Sequence, residues 1–312
     1  MGGRSTGSAV RTTHVQISPA PLSRSHRRQH RSRLSEGHPK GIILAFERAM
    51  IVQKGIVRGM ILKGKVALVT GGAKRVGRFI AVRLAEEGMD VIVNYRKSQE
   101  EAVETVRAVS ERGVRGLALQ GDITKPADCD QLIRLSMAEF GKIDVLVNNA
   151  SEFLKTPFNE LFLNRERYEA ILDQLVSVHM KGPLYLAGKI GMDMKQRGWG
   201  RIINLTDRCT IKGTAYKDYA PYLVSKYGLY GITQVLAEEL APEVLVNAIA
   251  PGLVIPSEQL SPEEIRQIRE KLPLNREVTP GEIAEDVVHL IKSSAKTGST
   301  ILVDAGAGVH TF

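Results

Sequence analysis

The chain has 312 residues, 43% of them apolar and 25% charged, so it can bury an ample core in one large domain or two small ones. Its two cysteines, Cys129 and Cys209, are too few for a disulfide framework and fit a reducing compartment, which predicts a cytoplasmic protein. The sequence has no run of about 18 uncharged apolar residues, which excludes a transmembrane helix and predicts no membrane partner.

The formal net charge of +9 is concentrated in the first 40 residues, which hold seven arginines and Lys40 against one acid, Glu36. This segment is rich in serine, glycine and proline and has little that could form a core. An organelle transit peptide, a basic arm that binds nucleic acid, and a disordered or mis-started extension before Met60 are all open. We favour the last, which predicts a disordered basic extension at residues 1–59, a folded domain at residues 60–312 and no nucleic-acid partner.

From Lys63 onward, short apolar runs rich in β-branched residues alternate with helical patterns. The runs are continuous, as expected for strands buried on both faces of a parallel sheet. The predicted strands are Lys65–Thr70, Val91–Tyr95, Gly116–Gln120, Ile143–Asn148, Arg201–Leu205, Val244–Ile249 and Thr300–Val303. The predicted helices are Val76–Glu87, Gln99–Arg112, Pro126–Phe140, Arg165–Arg197, Ala220–Leu240 and Pro280–Ile291. This alternation predicts a doubly wound α/β domain of the Rossmann type, with its ligand at the carboxyl ends of about seven strands.

Two helix starts are marked by a capping residue, a proline and a glutamate. They begin at Ser261, with Glu264 three residues later, and at Thr279, with Glu282. The segment Leu253–Pro273 should form a mobile lid over the substrate, because the chain leaves the sheet there at the ligand end.

The first predicted strand runs directly into the glycine-rich segment Thr70–Arg78, which opens the first helix. Gly71, Gly72 and Gly77 allow a tight turn and a close approach of the backbone to a pyrophosphate, whose charge a helix N-terminus favours. We therefore expect Gly71, Val76 and Gly77 to contact a dinucleotide.

The residues at the tip of the second predicted strand indicate which dinucleotide would bind. An NAD site usually carries an acid there to bind the ribose 2′-hydroxyl, but residues 94–98 contain no acid and two cations. A third cation, Arg75, lies in the glycine loop, and arginine can bind a 2′-phosphate bidentately. We predict NADPH, held at this end by Arg75, Tyr95, Arg96, Lys97 and Ser98.

Tyr222 and Lys226 are four residues apart in a predicted helix, which places a phenol and an ammonium on one face. A free tyrosine is a poor acid–base group at neutral pH, since its pKa is about 10. A nearby ammonium should stabilise the phenolate and lower the pKa of Tyr222 toward neutrality.

Together with the glycine loop and the Tyr222–Lys226 pair, three further motifs make the chain from about Met60 to Phe312 resemble the short-chain dehydrogenases/reductases. They are Gln120–Ile123, Asn148–Ala150 and Pro251–Gly252. The resemblance implies that Lys226 also binds the nicotinamide ribose, and that the two long helices flanking the site pair subunits into a homotetramer. It further implies cofactor-binding or supporting roles for Asp122, Asn149, Ala150, Pro251 and Gly252.

At two positions the chain differs from the usual short-chain dehydrogenase/reductase pattern, and the differences point to one branch of the family. The serine that usually orients a substrate carbonyl is replaced by Asp207, and a loop glycine is replaced by Arg75. Both changes are found in the pteridine reductases, which the segment "NNASEFLKTPF" also resembles. By that resemblance Ser151 and Phe153 lie over a bound pterin, with Phe153 stacked on its ring. The catalytic group would be Asp207, Tyr222 and Lys226, and the substrate would contact Arg75, Ser151, Phe153 and Tyr222.

Two features differ from that branch. His179 stands where the superfamily commonly has an asparagine that holds a relay water, and it could hold a water itself or be a packed histidine. The span from Asp207 to Tyr222, 15 residues, is slightly longer than the branch suggests.

The sequence thus predicts an NADPH-dependent short-chain reductase that acts on a dihydropterin or dihydrofolate, with no metal site. A carbonyl reductase, such as a 3-oxoacyl-carrier-protein reductase that uses Thr206 or Thr210 in place of serine, is the alternative in chemistry. A carboxylate near a developing oxyanion argues against it, unless that carboxylate is protonated. A non-catalytic NADP(H)-binding protein is the alternative of another class.

Overall fold

Seven parallel strands form one sheet in the computed structural model, which describes residues 60–213, 215–254 and 261–309. The strands are β1 (Val66–Val69), β2 (Asp90–Tyr95), β3 (Gly116–Gln120), β4 (Val145–Asn148), β5 (Gly200–Leu205), β6 (Val244–Pro251) and β7 (Thr300–Val303). Their order is β3-β2-β1-β4-β5-β6-β7. The predicted doubly wound α/β fold is confirmed, and the strand order reverses between β1 and β4, where such folds bind ligands.

Helices follow the strands in the order that the sequence predicts. In the described ranges they are α1 (Arg75–Glu86), α2 (Gln99–Ser110), α3 (Pro126–Phe140), α4 (Phe158–Leu161), α5 (Arg165–Val176), α6 (Gly182–Gln196), α7 (Cys209–Lys212), α8 (Ala220–Glu239), α9 (Pro262–Glu270) and α10 (Pro280–Lys292). No helix among them is both long enough and apolar enough to cross a membrane. The predicted extension, residues 1–59, lies outside the described residues, so that assignment stays a prediction.

The single helix predicted for Arg165–Arg197 is wrong. The structure has α5 and α6 joined by a π-helical turn at Ser177–Lys181. Pro183, in the first turn of α6, has no backbone N–H and cannot donate to the carbonyl four residues earlier, so the regular hydrogen-bond ladder is interrupted there. The short helices α4 and α7 were not predicted either, because four residues carry no measurable period.

A row of apolar side chains crosses the sheet and forms its core. Leu68 of β1 is in register with Ile92 of β2 and Leu146 of β4, and Ile202 of β5 continues the row to Val246 of β6. All five are fully buried. Each such side chain contributes roughly 1.5–3 kcal/mol through burial, which explains the continuous rather than alternating apolar pattern.

Both predicted capping boxes are present. Ser261 caps α9 together with Glu264, and Thr279 caps α10 together with Glu282, in each case through reciprocal side-chain and backbone hydrogen bonds. These caps fix where α9 and α10 begin, and α9 brings part of the predicted lid segment to the ligand end of the sheet.

Candidate active site

The glycine loop between β1 and α1 is held tightly against the end of β4. Gly71 has a φ of +61°, in the region that suits glycine, and a Cβ at Gly77 would lie 2.3 Å from the Gly71 carbonyl oxygen. The Asn149 amide nitrogen donates to the carbonyl oxygens of Thr70 at 2.9 Å and Gly71 at 3.1 Å. The loop therefore forms a backbone cradle at the N-terminus of α1, where a phosphate is favoured.

Arg75 lies in this loop with a φ of +53°, a left-handed conformation. This explains why glycine is usual here in the family that the sequence resembles. A non-glycine residue in that region costs of order 1–2 kcal/mol, and such strain is concentrated at functional sites. The Arg75 side chain lines both of the cavities described next, which gives the strained position a ligand-facing role.

One cavity, of about 430 Å³, extends from the glycine loop to the tip of β2. It is lined by every residue predicted to bind the adenosine and pyrophosphate of a dinucleotide. Lys74, a cation that was not predicted, also lines it. The predicted residues are Gly71, Arg75, Val76, Gly77, Tyr95, Arg96, Lys97, Ser98, Asp122, Asn149 and Ala150.

Glu152 faces the basic end of this cavity and was also missed. Its carboxylate lies 2.7 Å from the Arg96 guanidinium and accepts a hydrogen bond from Gln174. The Arg96 side chain is 41% exposed, and ion pairs at such sites contribute little to stability. Glu152, whose side chain is 17% exposed, offsets part of the positive charge at this end of the cavity. Glu152 and Arg96 are 56 positions apart, and no sequence pattern signals the pair.

A second cavity, of about 640 Å³, adjoins the first, and the two share Arg75, Val76, Asn149 and Ser151. It is lined by the remaining predicted residues, Phe153, Asp207, Tyr222, Lys226, Pro251 and Gly252. From the predicted lid come Leu253, Val254, Ile268 and Leu272, while residues 255–260 of the lid lie outside the described residues. All predicted site residues therefore meet at two adjoining cavities. Their individual roles stay predictions.

Asp207 lies at the centre of the second cavity, buried and bound by three donors. Its Oδ2 accepts a hydrogen bond from the Tyr222 hydroxyl at 3.0 Å. Its Oδ1 accepts from the Tyr216 hydroxyl at 2.8 Å and from the Cys209 backbone N–H at 3.0 Å. These contacts are typical of an ionised carboxylate, which has only acceptor atoms.

The prediction that Lys226 lowers the pKa of Tyr222 is wrong for this arrangement. Burial, followed by the charge of Asp207, raises the pKa of Tyr222 well above its ordinary value. The Lys226 ammonium donates instead to the Leu205 carbonyl oxygen at 2.8 Å and lies 5.8 Å from the centre of the Tyr222 ring. Burial also lowers the pKa of Lys226 to about 8, although Asp207 opposes this shift. Tyr222 is thus held as a protonated phenol.

The two threonines that could replace the missing serine are both engaged elsewhere. The Thr206 hydroxyl donates to the Ile249 carbonyl oxygen at 3.0 Å. The Thr210 hydroxyl donates to the Asp207 carbonyl oxygen at 2.7 Å. Each hydroxyl has one proton, so neither offers a donor to a substrate carbonyl in this arrangement.

Phe153 lies at the rim of the second cavity and is 36% exposed. Its ring stacks on Tyr219 at a centroid distance of 4.3 Å and meets Tyr222 edge-on at 4.8 Å. One face of Phe153 is therefore used within the protein, and the ring position is fixed beside the Tyr222 hydroxyl. This rigid aromatic side chain is suited to contact a flat ligand.

His179 is fully buried in the π-helical turn and is a packed histidine. Its Nε2 lies 2.8 Å from the Ser151 hydroxyl oxygen and its Nδ1 lies 2.8 Å from that of Ser225. Burial lowers the pKa of His179 to about 2, so the ring is neutral at physiological pH.

Tyr216 and Arg208 line the second cavity but were not predicted. Both belong to the connection between Asp207 and Tyr222, and the Arg208 guanidinium lies 5.0 Å from the centre of the Tyr216 ring. The length of this connection was the available signal, because it contains α7 and the tyrosine that bonds to Asp207.

The chain is similar to several known proteins along most of its length. A family model described as "short chain dehydrogenase" matches residues 65–263. The 3-oxoacyl-[acyl-carrier-protein] reductase FabG of Staphylococcus epidermidis is 36% identical over 247 residues, covering 78% of this chain and 98% of that protein. The 3beta-hydroxysteroid dehydrogenase 1 of Eggerthella lenta is 34% identical, covering 80% and 95%.

Among solved structures, FolM alternative dihydrofolate reductase 1 from Brucella canis, complexed with NADP, superimposes with a TM-score of 0.73. It is 30% identical and the match covers 81% of this chain and 97% of that one. The similar proteins therefore include, by name, both a 3-oxoacyl-[acyl-carrier-protein] reductase and an alternative dihydrofolate reductase.

Replacing Tyr216 by phenylalanine removes one donor to Asp207 and leaves the ring in place. We expect kcat to fall about tenfold with an unchanged KM for NADPH, because a hydrogen bond to a charged group contributes about 1.5–3 kcal/mol and here fixes the carboxylate beside Tyr222. NADPH oxidation with a dihydropterin or a 3-oxoacyl thioester measures this. Tyr219→Phe, which keeps the stack on Phe153, is the matched control; equal rates for both variants would contradict the positioning role.

The lowered pKa of Lys226 predicts that cofactor binding weakens as the pH rises above neutrality. As the pH rises through about 8, Lys226 loses its proton and its charge, so the contact with the cofactor ribose that the family resemblance implies would weaken. We expect the KM for NADPH to rise several-fold between about pH 7 and pH 9 and kcat/KM to fall in parallel. Steady-state kinetics across that range measures both constants, and a KM for NADPH that does not change with pH would refute the prediction.

Proposed function

The chain belongs to the short-chain dehydrogenase family, and on that premise we propose that it is an NADPH-dependent reductase of a dihydropterin or dihydrofolate. The observation that carries this proposal is the buried Asp207 carboxylate bonded to the Tyr222 hydroxyl, in the place of a serine hydroxyl. A carboxylate is unfavourable beside the oxyanion of a reduced carbonyl, but it can pass a proton toward a ring nitrogen.

The residues of the first cavity fit NADPH. The cradle at Gly71 and Gly77 has no room for side chains, and backbone N–H groups there suit a pyrophosphate. Lys74, Arg75, Arg96 and Lys97 line the same cavity, and their charge favours a 2′-phosphate. NADP in the similar Brucella structure supports the same cofactor.

Reduction of a C=N bond adds a hydride to carbon and a proton to nitrogen. NADPH, when bound, supplies the hydride. Tyr222 holds the proton at its phenol oxygen, since burial and Asp207 keep its pKa high, and the hydroxyl needs only to rotate from Asp207 toward the substrate nitrogen. Asp207 would take up a proton from solvent beforehand and pass it to Tyr222 across the 3.0 Å contact as Tyr222 delivers its own, so that no phenolate forms beside a carboxylate.

Lys226 and Phe153 hold the reacting groups in place. Lys226 is fixed by the Leu205 carbonyl oxygen and would bind the nicotinamide ribose. Phe153, beside Tyr222, would stack on the pterin ring while Ser151 and Arg75 contact its edge. The pterin ring, the nicotinamide and the Tyr222 hydroxyl would thereby lie next to one another.

A 3-oxoacyl-carrier-protein reductase is the second candidate, favoured by the 36% identity to the Staphylococcus protein of that name. The hydrogen bonds from the Thr206 and Thr210 hydroxyls to backbone carbonyl oxygens weigh against it, because neither hydroxyl is then left to donate to a substrate carbonyl. A non-catalytic NADP(H)-binding protein is a third candidate. The buried Tyr222 and Lys226, each with a specific partner, weigh against it, because a binding protein has no need of them.

A cytoplasmic homotetramer is part of the proposal. Helix α6 exposes Leu184 and Met192, and helix α8 exposes Val224, Tyr227 and Val235. Within each helix these residues recur at helical spacing, as on a face that packs against a second copy. Cys129 and Cys209 are free and buried, which fits a reducing compartment. Light scattering of the purified protein measures the subunit number.

The substrate is tested by NADPH oxidation with dihydrobiopterin or dihydrofolate set beside an acetoacetyl thioester. We expect turnover of a pterin with a kcat/KM at least about tenfold above that of the thioester, because Asp207 disfavours an oxyanion. Asp207→Ser, which restores the usual hydroxyl, should shift this ratio toward the thioester, while Asp173→Ser on the exposed face of α5 should not. Turnover of the thioester alone would refute the pterin assignment.

Cofactor choice is tested by Arg96→Ser. We expect the KM for NADPH to rise about tenfold and the KM for NADH to change little, because only NADPH carries the 2′-phosphate. Arg134→Ser, on the exposed side of α3, is the matched control for lost positive charge. A wild-type enzyme that prefers NADH would refute the electrostatic argument outright.

A further inference from the structure

His179 connects the ligand cavities to the helix that carries Tyr222. It lies in the π-helical turn Ser177–Lys181, and its side chain is fully buried. Turns of this kind are frequent at functional sites. Its two ring nitrogens contact Ser225 of α8 on one side and Ser151, after β4, on the other.

The Ser225 contact identifies the proton on Nδ1. The Ser225 hydroxyl donates its single proton to the Tyr222 carbonyl oxygen at 2.7 Å. Toward His179 it can therefore only accept, so the 2.8 Å contact requires a proton on Nδ1. A neutral imidazole carries one proton, which leaves Nε2 as an acceptor.

The other side of the ring leads to the same conclusion independently. The backbone N–H of Glu152 points at Nε2 from 3.4 Å, and a backbone N–H can only donate. Nε2 therefore carries a lone pair, and the Ser151 hydroxyl, 2.8 Å away, must donate to it. The hydroxyl proton of Ser151 is thus directed into the protein.

Ser151 is exposed and lines both cavities. With its proton committed to His179, its oxygen presents only lone pairs to a ligand. We propose that His179 is a positioning residue that makes Ser151 a hydrogen-bond acceptor and thereby selects a substrate whose ring edge carries an N–H donor. This inference rests on the proposed function and extends it to the determinant of substrate choice.

The proposed and alternative substrates differ at this point. A pterin ring carries amide and amine N–H groups along its edge, which pair with the lone pairs of Ser151. The reacting end of a 3-oxoacyl thioester has two carbonyl oxygens and no donor. Carbonyl lone pairs against those of Ser151 are unfavourable, and a site built to pair with a substrate N–H rejects an analogue that lacks it.

The tautomer is measured directly by nitrogen NMR of the wild-type protein labelled with ¹⁵N-histidine. The chain has seven histidines, and the His179 signals are those lost in His179→Gln. We expect a protonated Nδ1 and an unprotonated Nε2. The opposite tautomer would overturn the inference whether or not the protein reduces a pterin.

A double-mutant cycle tests whether His179 acts through Ser151. We expect His179→Asn, which keeps a donor for Ser225 and removes the acceptor for Ser151, to raise the KM for dihydrobiopterin about fivefold. In a Ser151→Ala background the same change should have almost no effect on KM. Additive effects would mean a merely structural histidine and overturn the inference.

The experiments distinguish a wrong substrate from a wrong role for His179. If the wild-type enzyme reduces the thioester and no pterin, the proposed substrate is refuted, and with it the selection step, whatever the tautomer. If the wild-type enzyme reduces the pterin and the cycle is additive, the proposed function stands and only the role of His179 falls.

Discussion

A buried carboxylate needs hydrogen-bond donors, and the second cavity of this protein is organised to supply them to Asp207. Two phenols and a backbone N–H reach its two oxygens. Tyr222 comes from α8, while Tyr216 and Cys209 come from the connection that precedes it. That connection, which the sequence shows as slightly longer than the pteridine reductase branch suggests, supplies the second tyrosine that bonds to the carboxylate.

A second, uncharged network lies behind the first. His179, kept neutral by burial, joins Ser151 to Ser225 and so to the backbone of Tyr222. Both networks end at the same residue, one at its hydroxyl and the other at its carbonyl oxygen. The backbone of Tyr222 is therefore connected through His179 to the loop after β4, while its hydroxyl is bound to Asp207.

At the cofactor end, charge and backbone strain act together. Arg75 keeps a left-handed conformation that glycine would adopt more easily, and its side chain reaches both cavities. Arg96 is paired with Glu152 at 2.7 Å. The basic character that the sequence predicts is thus partly offset by an acid from a distant loop.

The sequence by itself determined the sheet, its strands and the residues that meet at its carboxyl edge, because buried parallel strands leave continuous apolar runs and the loops after them converge. The break in the long helix was missed, because the apolar periodicity runs across it, although Pro183 was the available signal. Only the tertiary structure decided the partners of Asp207, the tautomer of His179 and the pairing of Arg96 with Glu152. Such contacts join residues far apart in the chain, and their hydrogen-bond directions and pKa shifts depend on distance and burial, which composition and spacing do not encode.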